Sequence, residues 1–262
     1  MKPEPGTQDK ITKMVFGAEA IEIKATIPDT QIESALIRFN LTLDNDEERY
    51  IYFFDTPTLD LLKAGIIARA RRVVRGEHDS TVKFRPVTPL DVSDKWRKSS
   101  GFKIEADASE KGAVKSASFI MPVAKGLIKA VVEGEKSIAK LFTKEQEDFL
   151  ADMANYPIDF SALAILGPLK ANRWKFEDPA CPWKITAELW RREDGERLME
   201  ASIKAPIVQV AAAIGGFMAF LKEVGANRDS RQQTKTHWAL DYYAAKLRGE
   251  KEATPQAEIS KK

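Results

Sequence analysis

Arginines, lysines and carboxylates recur at every second position along several segments of this chain. That spacing places them on one face of an extended strand. Glu22 and Lys24 alternate with Ile21, Ile23 and Ala25. The same pattern returns at Arg69, Arg71 and Arg75, at Lys83 and Arg85, and at Lys103, Glu105 and Asp107. It continues at Arg173 and Lys175, at Lys184, Glu188 and Arg192, and at Glu200, Ser202 and Lys204. Paired Arg and Lys suit phosphate oxygens, which guanidinium groups grip bidentately. Carboxylates on the same face would repel a bare polyphosphate, but they become useful if they hold Mg²⁺ or Mn²⁺, which takes hard oxygen ligands and bridges to phosphate. No nucleophile-and-base constellation competes with this reading. The only cysteine is Cys181, read as a small buried residue, and His78 and His237 are the only histidines, too few for a zinc cluster.

Eight such extended segments are predicted: residues 15–26, 49–55, 66–75, 81–85, 102–107, 163–177, 183–192 and 197–204. The last two flank Asp194-Gly195, a strong hairpin signal. Helices are expected from Asp29 or Thr30 to Phe39, over 112–140 with a break near Pro122, after Thr143, after Pro206, and over 232–247. Thr143 with Gln146 three residues on reads as a capping box. Strands and helices mixed without strict alternation predict an α+β fold with an antiparallel sheet. Two arrangements remain open. The charged face is solvated and the apolar face packs on helices, or eight strands close into a barrel with helices outside and the charges lining its interior. An interior of that kind is costly unless ion pairs and ligand satisfy it, which would make it a functional site.

Composition excludes more than it selects. Net charge is +2, from 41 basic and 39 acidic residues, so a nucleic-acid partner gets no support. The longest apolar run, 207–221, is too short for a membrane span and is interrupted by Gln209. The first ten residues lack an apolar segment, and the chain reads as cytoplasmic. One domain over 14–248 is expected, with a helical segment at 108–160 and flexible tails at 1–13 and 249–262. The lysines between 111 and 140 read as the solvated face of that segment. The five tryptophans read as packing, with Trp190 a candidate for the mouth of the site because it shares a face with Glu188.

In this order and spacing, one stretch resembles the CYTH, or triphosphate tunnel metalloenzyme, superfamily. It runs Tyr52-Phe53-Phe54-Asp55-Thr56-Pro57, then Leu59, Leu62, Ala64 and Gly65, then Arg69 and Arg71, then Val82-Lys83-Phe84-Arg85. The resemblance extends over residues 18–247. It implies a closed eight-stranded antiparallel β-barrel whose tunnel holds a triphosphate and divalent metal. Lys24, Arg69, Arg71, Lys83 and Arg173 match the family's phosphate contacts. Arg85 and Lys204 share their faces, and Lys235 on the last helix matches a further phosphate-binding lysine. Glu105 matches an acidic residue of the fifth strand, with Asp107 as a supporting acid. Glu188 and Glu200 match carboxylates that hold metal or orient water, and with Glu22 they are the expected ligands for Mg²⁺ or Mn²⁺. The implied ligand is inorganic tripolyphosphate or a nucleoside or thiamine triphosphate, with hydrolysis of the terminal phosphoanhydride.

Two departures weaken that last step. The family's Glu-x-Glu-x-Lys reads Ala20-Ile21-Glu22-Ile23-Lys24 here, with Glu19 one residue out of register. The family's Glu-x-Glu on the last strand reads Glu200-Ala201-Ser202. The alternative expectation is therefore a polyphosphate- or nucleotide-binding protein with weak or lost hydrolysis.

Overall fold

The computed structural model describes residues 17–18, 20–109, 112–226 and 234–250. Nine strands follow in chain order among them: β1 (Ala20–Ile27), β2 (Glu47–Asp55), β3 (Ile66–Val73), β4 (His78–Phe84), β5 (Phe102–Ser109), β6 (Gly112–Val123), β7 (Ala164–Asp178), β8 (Cys181–Arg191) and β9 (Arg197–Ala205). They close into a barrel in the order β1-β5-β6-β4-β3-β2-β7-β8-β9. The barrel and the α+β class are as expected, but the count is nine rather than eight, and the sheet is mixed. The two corrections have one cause. Neighbours that all run antiparallel must alternate in direction, which an odd number of strands cannot do around a closed ring. One like-directed pair is forced, and it falls at β1–β5, where Glu22 lies beside Asp107.

The additional strand is β6, where helix was expected. Ala113, Lys115 and Ala117 suit a helix, but the segment lies between β4 and β5 and pairs with both along its length. Those two ladders satisfy its backbone groups, and tertiary pairing overrides local preference. Pro122 sits one residue from the strand's end. Of the helix expected over 112–140, only Leu127–Val132 and a 3-10 turn at Ile138–Leu141 form.

Alternation decides which face turns inward. On β1, Ile21, Ile23, Ala25 and Ile27 are buried in the main core outside the barrel, whereas Glu22, Lys24 and Thr26 face the lumen. β5 does the same with Ile104, Ala106 and Ala108 against Glu105 and Asp107, and β8 with Ile185, Ala187 and Leu189 against Thr186 and Glu188. A slip of one residue would exchange the two sets, so burial of the apolar set fixes the register of the charged one.

Helices cover the outer face: α1 (Ile32–Arg38), α2 (Asp60–Lys63), α3 (Asp94–Arg97), α4 (Leu127–Val132), α5 (Lys144–Ala154) and α6 (Val210–Glu223). α6 buries Val210, Ala213, Ile214, Phe217, Phe220 and Leu221 against the barrel wall. The capping box at Thr143 forms as expected. Its Gln146 also spans β4 and β6, donating to the carbonyls of Ser80 at 3.2 Å and Phe119 at 3.1 Å and accepting from the Ser80 hydroxyl at 3.0 Å. The Asp-Thr-Pro turn after β2 is structural. The buried Asp55 carboxylate accepts from the amides of Thr56, Leu61 and Leu62 at 2.7–2.9 Å and so fixes the entry into α2. Gly65 then brings β3 against the end of β4. It has φ +77°, and a Cβ there would lie 2.2 Å from the Arg85 carbonyl oxygen.

The seventh helix, α7 (Lys235–Leu247), has a different task. Toward one end of the barrel the inward positions turn apolar, at Ile51, Phe53, Ile67, Trp190 and Leu198. Trp238, Leu240 and Tyr243 of α7 pack on them as a second core. The Tyr243 hydroxyl anchors the helix by donating to the Pro168 carbonyl at 2.6 Å. α7 thus plugs that end of the barrel and carries Lys235, at its first turn, to the lumen. The expected tail at 1–13 and residues 251–262 of the one expected at 249–262, together with Glu19, Lys111 and the start of the last helix at Gln232, lie outside the described residues.

Candidate functional site

The lumen is a cavity of about 690 Å³. All thirteen side chains expected at the site line it: Lys24, Arg69, Arg71, Lys83, Arg85, Arg173, Lys204 and Lys235 among the cations, and Glu22, Glu105, Asp107, Glu188 and Glu200 among the carboxylates. Trp190 lines it as well. Lys175 and Lys184, on the same sequence faces, are exposed and lie outside the cavity. The sequence reading missed Arg49, which lines the lumen at 6% exposure and pairs with Glu47 and Glu188. Lys103 also lines it, without having been assigned a role.

Ten cationic side chains and five carboxylates line the cavity, an excess of five positive charges. The whole chain carries only +2, which leaves the remainder with a net charge of minus three. A nearly neutral composition therefore conceals a strongly basic interior. Its low-dielectric walls concentrate that field on whatever enters.

The carboxylates are already engaged. Lys24 bridges Glu22 at 3.1 Å and Asp107 at 2.8 Å, and Lys204 holds Glu105 at 2.7 Å. Glu188 and Glu200 stand directly opposite one another across β8 and β9. Facing like charges destabilise a sheet, and Lys235 relieves this one. Its ammonium contacts Glu188, lies 2.8 Å from Glu200, and sits 4.9 Å from the centre of the Trp190 ring. Burial acts to raise the Glu188 carboxyl, but Lys235, with Arg49 and Arg173, outweighs it and holds the group well below the usual carboxylate range. Burial likewise acts against the Asp107 carboxylate, yet Lys24 and Lys83 bring it down to about 2. For Lys235, burial is outweighed by Glu188 and Glu200, and the ammonium is strengthened.

The wall of β3 and β4 is different. Arg69 Nε is buried there with no hydrogen-bond partner among the described residues, and so is Arg173 Nε on β7, which lies 3.6 Å from a Glu188 oxygen. Burial, with Arg71 beside it, lowers the Arg69 guanidinium to about 10, so it stays charged at neutral pH. Lys83 is lowered to about 8 by burial, against the pull of Asp107. Arg71 is the partnered member of this wall, since Asp79 accepts from its Nε at 2.9–3.0 Å. Buried donors without acceptors are costly in the ligand-free protein, and an anion supplies what they lack.

The Lys83 shift has a consequence for pH. In the free tunnel the ammonium loses its proton as pH rises through about 8. A bound polyanion restores it, so binding takes up a proton above that pH. Polyphosphate affinity is then expected to fall with rising pH, with a slope approaching about tenfold per unit. Lys83→Arg, which keeps its charge, is expected to flatten the profile. Titrations of both proteins from pH 7 to above 9 check this, and the comparison removes the ligand's own ionisation.

The expected metal ligands do not assemble. Among the described residues no group of three or more His, Cys, Asp or Glu side chains is placed to hold a metal ion. Glu22 lies with Lys24 and accepts from the Ser202 hydroxyl at 2.9 Å, whereas Glu188 and Glu200 close on Lys235. As arranged, the donor set does not fit a divalent ion.

Solved structures of other proteins share this fold. A putative adenylate cyclase from Bacillus halodurans superposes with a TM-score of 0.58 at 15% identity, over 84% of this chain and 96% of that one. A putative adenylyl cyclase from Hippeastrum, described as having a dominant triphosphatase activity, superposes with a TM-score of 0.59 at 16% identity, over 88% and 96% of the two chains. No family profile and no curated protein matches the sequence. The tunnel fold implied by the sequence resemblance is thus the fold observed, with nine strands. Among the described residues no helix is long and apolar enough to cross a membrane.

Proposed function

We propose that this tunnel binds a triphosphate-type polyanion. The observation that carries this is the pair of buried Nε donors on Arg69 and Arg173, which lack hydrogen-bond acceptors among the described residues inside a cavity with five excess positive charges. Arg69 and Arg173 present guanidinium forks to phosphate oxygens, and Lys83 and Lys235 present point charges. The Hippeastrum protein, which shares the fold, lends the triphosphate class support through its described activity.

Hydrolysis of the terminal phosphoanhydride is a second reading, and it is favoured by the pair Glu188 and Glu200. Two adjacent carboxylates in a phosphate-binding lumen can orient an attacking water, while the cations stabilise charge on the transferring phosphoryl group. In the ligand-free arrangement both are held by Lys235, and Glu188 is a weak base. Turnover then requires Lys235 to move from the carboxylates to the phosphate, so a slow reaction is expected.

Calorimetric titration with tripolyphosphate, coupled to assay of phosphate release from tripolyphosphate, ATP and thiamine triphosphate, separates the readings. Micromolar one-to-one binding without release identifies a binding protein, and binding with release identifies a hydrolase. Absence of binding removes both.

A smaller cavity of about 420 Å³ adjoins the lumen beside the plug and shares Ile67, Arg85, Thr234 and Thr236 with it. Phe84, Pro86 and His237 line it. In this proposal an organic group attached to the triphosphate sits there. His237→Ala is then expected to weaken a nucleoside or thiamine triphosphate about tenfold, the scale of one lost ring contact. Inorganic tripolyphosphate should be unaffected, and an equal loss for both ligands would place the organic group elsewhere.

A further inference from the structure

We infer that the tunnel takes its polyanion without a divalent metal, the ammonium groups of Lys24 and Lys235 standing between carboxylates where such an ion would sit. The inference rests on the proposed polyanion site and concerns how that site is charged.

A hard divalent cation needs several oxygen donors free to turn toward one point. Each lumen carboxylate instead has a lysine within reach. Glu22 and Asp107 share Lys24, Glu188 and Glu200 share Lys235, and Glu105 takes Lys204. Where β9 offers a further inward position between Glu200 and Lys204, it presents the neutral hydroxyl of Ser202, already donating to Glu22. No group of three candidate ligands forms among the described residues.

The surroundings of Lys235 also suit an ammonium better than a metal ion. One side of it is the face of Trp190, 4.9 Å from the nitrogen to the ring centre. An aromatic face attracts an organic cation, but it gives no oxygen to a magnesium ion, which sheds water reluctantly. Charge points the same way. A dication entering the lumen would add to five excess positive charges and would have to displace a lysine held by two carboxylates. Metal bound to the polyphosphate would also cancel part of the negative charge that the lumen attracts.

The test is titration of the full chain with tripolyphosphate in EDTA, in millimolar Mg²⁺ and in millimolar Mn²⁺, together with electron paramagnetic resonance of Mn²⁺ mixed with the ligand-free protein. The expected result is binding in EDTA, weakened about threefold by Mg²⁺ as the metal competes for phosphate oxygens, and an unaltered free-Mn²⁺ signal. Binding that requires Mg²⁺ or Mn²⁺, or stoichiometric loss of the free-Mn²⁺ signal, overturns this inference and leaves the polyanion site standing. Absence of binding in all three conditions overturns the proposed function and this inference with it.

Discussion

Replacing Arg69 by methionine is expected to weaken tripolyphosphate binding about 100-fold while leaving the fold at least as stable as before. The affinity loss follows from removing charge-assisted hydrogen bonds worth about 3 kcal/mol. The stability result is the more discriminating half. Arg69 is enclosed among Arg49, Arg71 and Asp79, and its Nε has no partner among the described residues. Methionine fills similar space without that unsatisfied donor, and such exchanges are often neutral or stabilising. A urea midpoint that holds or rises, together with lost affinity, marks a side chain retained for its ligand. A fall in both would mark Arg69 as part of the scaffold.

Lys235→Met is expected to act in the opposite sense on stability. Glu188 and Glu200 would face each other across the strands without the ammonium they share, with Arg49 and Arg173 at 3.5 and 3.6 Å from Glu188. Removing one partner from a buried ion cluster costs about 3 kcal/mol. In the wild-type protein Glu188 is depressed, so it contributes stability that is present above its unfolded-state pKa and is lost as pH falls through its folded value. The variant lacks the largest of the charges that depress Glu188 and gives up that part of the contribution, so its deficit should be larger at pH 7 than near pH 3. Denaturant midpoints at two pH values check this. An equal deficit at both would show that Lys235 contributes by packing alone.

Much of this site was legible because strand alternation is a strict rule. The residues of β1, from Ile21 to Thr26, announce both their burial and their charged face, and the same holds for β5, β8 and β9. Arg49 escaped because the inward face of β2 reads Arg49, Ile51, Phe53. Its last two members belong to the plug under α7, so the face as a whole does not look charged. The signal was present in register, since Phe53 lies opposite Arg69 and Ile51 opposite Arg71. Asp79 escaped because it falls between the extended segments expected at 66–75 and 81–85, whereas β4 begins at His78 and sets it against Arg71. β6 was missed for a different reason. Residues 112–123 mix helix formers with Val114, Phe119, Ile120 and Val123 and lack a strict alternation, and the strand is held by the two neighbours it pairs with along its length. The engagement of Glu188 and Glu200 by Lys235 lies beyond any local pattern, because it joins a helix to a hairpin more than thirty residues away in sequence.

The crystal structure of the protein with tripolyphosphate tests the central claim most directly. It is expected to show one polyanion inside the barrel, with phosphoryl oxygens at about 2.7–2.9 Å from the Arg69 guanidinium and the Lys83 ammonium. Tripolyphosphate bound only on the outer surface, or a lumen without ligand under conditions that saturate binding in solution, would contradict it.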